Sequence, residues 1–451
     1  MIAMRNTLMI MLCILVASCS DAFLDAKPDK ALAIPHTLDD LQALLDDVNQ
    51  QINQTPGFPE LFAPEIVVAE NGLGRENMDV TNTYLWQRGN LYATISNYDW
   101  DWIYEQVLRV NVVLEELKKL DGQNIDVKRY EQIRASASFF RAWHLFHLLI
   151  TFSPPYNPVT AEVEPGIVLK LEADINEKLG RSSISECYRQ IIADLEFSTT
   201  ALPKTVPVPS RPNLAAAYAL LARVYMSMYD YQNVERYAEL SLAENNALMD
   251  YNALTGRFPD PLQNNNKEVL FYAIPILHAA TLTRNAMIDR SHIGLYTSGD
   301  LRRELYYSVS NSDIYKMKST YRGTTLTSFS GLTSSEMYLV CAEAKIRLGK
   351  VEDALLLINR LRISRWRTEV PYEPLDELSV DNLLEAVLLE RKRELPFRGL
   401  AWFDLRRLRN DPQFSETITR EYNGEVFTFG PLSDFYHFPV PPSEIMYNPD
   451  I

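Results

Sequence analysis

The chain has 451 residues, with 44 Lys or Arg against 59 Asp or Glu and a formal net charge of −15. Charge of that sign argues against nucleic acid or an anionic headgroup surface as a partner. A hydrophobic share of 47% allows a large buried core, and four cysteines cannot make a disulfide framework.

Taken in chain order, the first feature is MIAMRNTLMIMLCILVASC. Arg5 precedes an apolar run over 8–17, shorter than the roughly twenty residues that a bilayer-crossing helix needs. A charged start, a short apolar stretch and small residues before a break describe a secretory signal. Val16-Ala17-Ser18 stand directly before Cys19, and this resembles the lipobox of bacterial lipoproteins. The expectation is a signal peptide over 1–18 and a lipid anchor on Cys19, the alternative being an ordinary exported protein with a chance cysteine. Several acyl chains anchor stably where one binds only reversibly. No later segment is apolar for long enough to span a membrane. Cys187 and Cys341 lie in apolar-periodic segments, as two buried thiols or as a single bridge.

Helical signals follow. Segments 98–120 and 127–151 read as one helical pair. Ser183 with Glu186 forms a capping box for a helix running to about Ala201, where Leu202-Pro203 ends it. From Pro212, residues Leu214, Tyr218, Leu221, Tyr225 and Met228 repeat at a 4-3-4-3 spacing, and a second helix begins after Asp230. Tyr338, Cys341, Ala342, Ala354 and Ile358 match Tyr218, Leu221, Ala222, Val234 and Ala238, each at an offset of 120 residues. Large, small and aromatic types thus recur as a tetratricopeptide (TPR) helix pair requires. Thr333 with Glu336 reads as a capping box, and Gly349 closes that helix. Ser379 opens a further long helix that Pro396 ends. Segments 54–97, 248–332 and 369–378 lack the helical period. The fold class expected is mainly α: a TPR-like scaffold of helical pairs with long irregular insertions and little β.

The order of motifs resembles the SusD/RagB family from end to end. After the lipobox come Phe23-Leu24-Asp25 and Pro28, then Trp102 to Tyr104 with Asn111, and Phe139-Phe140-Arg141-Ala142. Asp194-Leu195, Leu202-Pro203, Arg211 and Ala215-Ala216 lead into the TPR pair. Tyr338-Leu339 with Ala342-Glu343-Ala344 follow, then Glu390-Arg391 with Glu394-Leu395, Gly399, Trp402 and Asp404-Leu405 with Arg407. Pro439-Val440-Pro441, Glu444-Ile445 and Asn448-Pro449 resemble the family's ending. Two departures stand out: Arg398 and Ala401 flank Gly399 where the family often has an acid and a second base, and Phe152-Ser153-Pro154-Pro155 replaces its usual glycine-containing turn. The resemblance implies a SusD-like domain over 19–451 on the outer face of an outer membrane. There it would bind an oligosaccharide without cleaving it and deliver it to a SusC-like TonB-dependent transporter. Some family members serve peptide uptake instead, and the TPR spacing alone also fits a protein-interaction scaffold.

Motifs for chemistry are weak by comparison. Glu390 and Glu394 share a helix face, but interleaved arginines suit ion pairs better than a glycosidase, whose carboxylates must flank a bond. His144 and His147 at i, i+3 have no acidic or cysteine neighbour for a metal. No phosphate loop, nucleophile elbow or HExxH occurs, so no cofactor, metal site or catalytic residue is expected. For a sugar, exposed aromatics with polar neighbours on loops are the groups to seek. The helical frame is expected at about 98–248 and 333–395, and a ligand-binding part at about 54–97 and 249–332. Arg75, Asn77, Tyr84 and Trp86, with Arg88 and Asn90 beside them, mark the first loop. Tyr296, Tyr321 and Arg322 mark the second, among Tyr306, Tyr307 and Tyr315. These aromatics either form a stacking platform or anchor the loops to the frame; Trp102 and Trp143 read as core.

Overall fold

The computed structural model describes residues 35–89, 91–92, 97–122, 124–263, 266–276, 286–310, 314–323, 328–376, 380–448 and 451. The signal segment 1–18, Cys19, Phe23-Leu24-Asp25, Pro28, Asn90, Ser379 and Pro449 lie outside the described residues.

Local chemistry sets the helix ends. Helix α1 (Leu38–Leu45) starts on a complete capping box between Thr37 and Asp40. Asn97 caps α2 (Tyr98–Leu120) and Asp126 caps α3 (Val127–Phe152), each side chain accepting from a backbone N–H of the first turn. In α2, Trp100, Ile103, Val107, Val110 and Leu117 are buried along one stripe. In α3, every residue from Ala135 to Phe152 except Arg141 is buried, so this helix runs through the middle of the core. The box of Ser183 and Glu186 opens α4 (Ile184–Thr199) as expected.

The TPR-like elements follow as α5 (Leu214–Ser227), α6 (Tyr231–Glu244), α7 (Ser334–Arg347) and α8 (Val351–Ile363). Consecutive helices from α2 to α8 pack on one another, and α9 (Val380–Glu394) returns to α7. Ala216, Ala219 and Ala222 on α5 are fully buried, as are Cys341 and Ala342 on α7, so small side chains let the helices approach closely. The box expected at Thr333 is only half formed. Thr333 accepts from the Glu336 N–H, but the Glu336 carboxylate turns away to take Arg223 at 2.6 Å. A shorter helix, α10 (Leu400–Leu408), follows Pro396 after Gly399 in the left-handed conformation.

Among the described residues, strands are short and form five two-stranded sheets. β1 (Gln54–Thr55) runs parallel to β4 (Ile274–Pro275), and β2 (Ile66–Val67) pairs antiparallel with β5 (Met287–Ile288). β3 (Val269–Phe271) pairs with β8 (Leu332–Thr333), and β6 (Tyr307–Val309) with β7 (Tyr315–Met317). A hairpin of β9 (Ile418–Tyr422) and β10 (Glu425–Phe429) adds to the sequence-based expectation. Asn423 and Gly424 turn it with φ of 52° and 78°, which is the backbone an Asn-Gly hairpin turn adopts.

The alternatives for the cysteines resolve: Cys187 and Cys341 are both free and buried. Burial pushes their thiols up to about 11 and about 12. His144 and His147 are also interior, and burial pulls each ring down to about 3, leaving both neutral.

Close helix crossings make a volume test direct. Ala222→Leu should lower stability by about 1–3 kcal/mol through overpacking. Leu356→Ala, at a side chain 71% exposed on α8, should stay within about 0.5 kcal/mol of the parent. Urea unfolding followed by far-ultraviolet dichroism measures both.

Candidate functional site

The two irregular segments meet through backbone ladders. β1–β4 and β2–β5 join 54–67 to 274–288, and Asp99 at the start of α2 accepts from the Gly57 and Phe58 N–H groups at 2.9 and 2.8 Å. Arg75 and Asn77 lie exposed in the turn between the short helices Glu70–Leu73 and Met78–Tyr84. Asn77 occupies the N-cap position of the second, yet its side chain makes no cap bond. Two polar side chains are therefore displayed to solvent by a short, helix-bounded loop.

The aromatic candidates sit elsewhere, and the open platform sought from the sequence does not form from their rings. Tyr84 and Trp86 are buried, stacked on the Arg420 guanidinium at 3.7 and 4.5 Å. Arg420 comes from the β9 strand and donates to the carbonyls of Leu61, Ala63 and Tyr84. This clamp fixes the first loop to the hairpin, and Trp86 adopts a positive φ of 56° within it. Tyr296 is buried beside His292 and Tyr307 and donates to the Arg393 carbonyl at 3.0 Å. Tyr321 is 1% exposed and donates to Glu268 at 2.6 Å. Arg322 is half-buried and bonds the Tyr272 side chain. All of these contacts anchor loops to the frame, the other reading open from the sequence. Among the described residues, Arg75 and Asn77 make no contact with any of the four rings.

Tyr321 leads into a buried ion network that includes the ion pairs expected of Glu390 and Glu394, with partners distant in sequence. Arg365 bridges Glu268 at 3.0 Å and Glu394 at 2.7 Å, all three side chains being fully buried. Arg302 holds Asp300, Glu390 and Glu394 at 2.7, 2.6 and 3.1 Å. Arg398 stacks on Tyr321 at 3.9 Å and donates to Thr333 at 3.0 Å. That contact gives the departure from the family pattern a role: a base here faces Glu394 and a tyrosine ring. Burial alone would raise the Glu394 pKa, but Arg365, Arg302 and Arg398 outweigh it and hold the carboxyl well below its usual range. A glycosidase acid needs the opposite shift. Glu390 and Glu394 tie α9 to its neighbours.

One groove of about 350 Å³ runs between α9 and α10, with Glu65 and His292 on one wall. Its floor is apolar (Leu388, Leu395, Leu400, Leu405), and Lys392 pairs with Glu416 at its rim. The Arg391 beside it is committed to Asp404 through two hydrogen bonds of 3.1 and 3.0 Å. Such a lining suits an apolar group better than a ring rich in hydroxyls.

A helical-pair frame carrying two cross-braced loop segments, with exposed polar side chains on a short turn, is a scaffold that displays loops. Comparison narrows it further. A family model described as "Starch-binding associating with outer membrane" matches residues 22–226, and the SusD family model matches residues 303–451. The chain belongs to the SusD/RagB family. The SusD-like protein P2 of Formosa agariphila is 25% identical over 354 residues, spanning 63% of this chain and 67% of that protein. A SusD superfamily protein from Bacteroides thetaiotaomicron superposes with a TM-score of 0.73 at 20% identity, over 92% of this chain and 99% of its own. A putative sugar binding protein from Bacteroides vulgatus gives 0.75 at 19%, over 93% of this chain and 98% of its own. At these identities the structural likeness concerns the fold.

The network predicts an acid limit. The folded Glu394 carboxyl lies below its ordinary value of 4.5, so its contribution is complete above that pH and is lost as pH falls through the folded value. Thermal midpoints should fall steeply below pH about 4.5. Glu394→Gln should cost about 3–5 kcal/mol at neutral pH, because it strands Arg365 and Arg302, and should flatten that acid slope. Calorimetry across the acid range checks both.

Proposed function

We propose that the protein is a lipid-anchored receptor on the cell surface that captures an oligosaccharide and hands it to a SusC-like TonB-dependent transporter. The observation that carries this reading is the match of two SusD-family models, one at each end of the chain, on a frame whose loop segments are braced to hold a fixed shape. A Bacteroides vulgatus relative in fold is described as a SusD-like carbohydrate binding protein, and the first family model is described by starch binding and outer-membrane association. Among the described residues no helix is long and apolar enough to cross a membrane, so membrane attachment falls to the acylation expected at Cys19.

Within this reading, Arg75 and Asn77 contact the sugar hydroxyls. Tyr84, Trp86, Tyr296, Tyr321 and Arg322 act one step behind, by fixing the loops that present those contacts. Preformed loops lose less conformational entropy on binding, which is how rigid anchors raise affinity without touching ligand.

Glycan arrays followed by calorimetry on the detergent-extracted protein test the reading. Arg75→Ala and Asn77→Ala should each weaken the glycan found by about tenfold, the worth of one well-placed hydrogen bond. Peptide binding with no glycan bound would remove the carbohydrate assignment and leave import standing. Cys19→Ala should release the protein from membranes, as fractionation would show, and co-purification with a β-barrel partner tests the delivery step.

A further inference from the structure

The helical frame has a cleft of its own, about 310 Å³, near the lower end of the roughly 300–1,000 Å³ typical of ligand sites. Tyr156 and Asn157 after α3, Tyr229 and Tyr231 at the α5–α6 turn, Arg347 at the end of α7 and Asn410 after α10 line it. None of these belongs to the loop segments 54–97 or 249–332.

The α5–α6 turn is unusual beside its own repeat. The two helices close alike: Asp230 donates its N–H to the Tyr225 carbonyl at 3.1 Å, and Lys350 to that of Lys345 at 2.8 Å. Both closures need a left-handed residue, supplied in the second pair by Gly349 at φ 77° and in the first by Tyr229 at φ 62°. A side chain is strained there, since its Cβ crowds the following carbonyl. The turn itself asks for no side chain, because a Cβ on Gly349 would meet nothing within 4 Å. Strained outliers of this kind gather at ligand sites.

The neighbours of Tyr229 are chemically matched to one kind of ligand. Tyr156, Tyr229 and Tyr231 are half-buried, and among the described residues none of their hydroxyls has a hydrogen-bond partner. The Arg347 guanidinium lies 4.9 Å over the Tyr231 ring. Its Nε bonds Glu343 at 3.0 Å and its Nη1 lies 3.8 Å from Asp411, while Nη2 is buried without a partner among the described residues. A buried donor in that state gains from any acceptor that reaches it. Arg347 and Arg407 are balanced by Glu343, Asp404 and Asp411, so an added anion finds no surplus of positive charge.

We propose that this cleft is a saccharide-binding site separate from the loop segments, in which tyrosine rings stack on the C–H face of a neutral pyranose. Arg347 donates to a ring hydroxyl, the Asp411 carboxylate accepts from another, and the amides of Asn157 and Asn410 supply the remaining polar partners. The aromatic surface that the loops keep inside is thus available on the frame.

The test uses full-length protein in detergent with a single fluorinated tyrosine at position 231, read by fluorine NMR. Methyl glycosides of glucose, galactose, mannose, xylose and rhamnose are titrated singly to their solubility limits, with methyl glucuronide as the charged control. At least one neutral glycoside should give a saturable shift. Tyr229→Gly restores the residue found in the second repeat and keeps the turn; it should weaken that binding about tenfold, while Tyr229→Phe, which keeps the ring, should hold it within about threefold. Silence with every neutral glycoside overturns the proposal, as does a shift that survives Tyr229→Gly or one produced by the glucuronide alone. Because the probe reports position 231, each of these three failures leaves the loop reading to its own titration.

Discussion

Five separate stretches of this chain converge on one buried set of charges. Glu268 arrives from the start of β3, Asp300 and Arg302 from the second loop segment, Arg365 from the end of α8, Glu390 and Glu394 from α9, and Arg398 from the turn beyond it. Taking so many charges out of water carries a large desolvation penalty, offset only where each has partners of good geometry. The arrangement meets that condition only when the helical frame and the loop segment take one relative position. Hydrophobic burial alone would tolerate sliding; interlocked ion pairs do not. Loop placement in this protein therefore follows from electrostatic satisfaction inside the core.

Much of the frame was legible because helices announce themselves locally. The start of α4 follows from the Ser183–Glu186 box, α2 and α3 fill the two segments read as a helical pair, and the repeat offset set α5 to α8 in register. Other features depended on partners distant in sequence. Glu336 has the spacing of a capping-box acid, but Arg223, more than one hundred positions earlier, captures it. The two readings left open for the loop aromatics could not be separated for the same reason: only the folded chain brings Arg420 to Tyr84 and Trp86. The Asn423-Gly424 pair was a readable hairpin signal, and so was Tyr229 standing where the matching repeat has Gly349.

Aromatic residues consequently divide by task. Those in the loop segments serve as fasteners, their rings capped by guanidinium groups or their hydroxyls bonded inward. Those at the helix turns, Tyr156, Tyr229 and Tyr231, keep their hydroxyls unspent. A segment's irregularity says where function can be displayed, and not which side chains display it. Bonding state separates the two groups better than position along the chain.

The two enclosed thiols have a consequence for how the chain matures. With Cys187 and Cys341 reduced inside separate helices, no covalent cross-link joins them, and cohesion rests on packing and charge. New copies can acquire their shape without an oxidant or an isomerase acting on this pair. Any reagent that modifies these sulfurs must wait for the surrounding helices to part, so the speed of that modification is a clock for transient opening of the molecule.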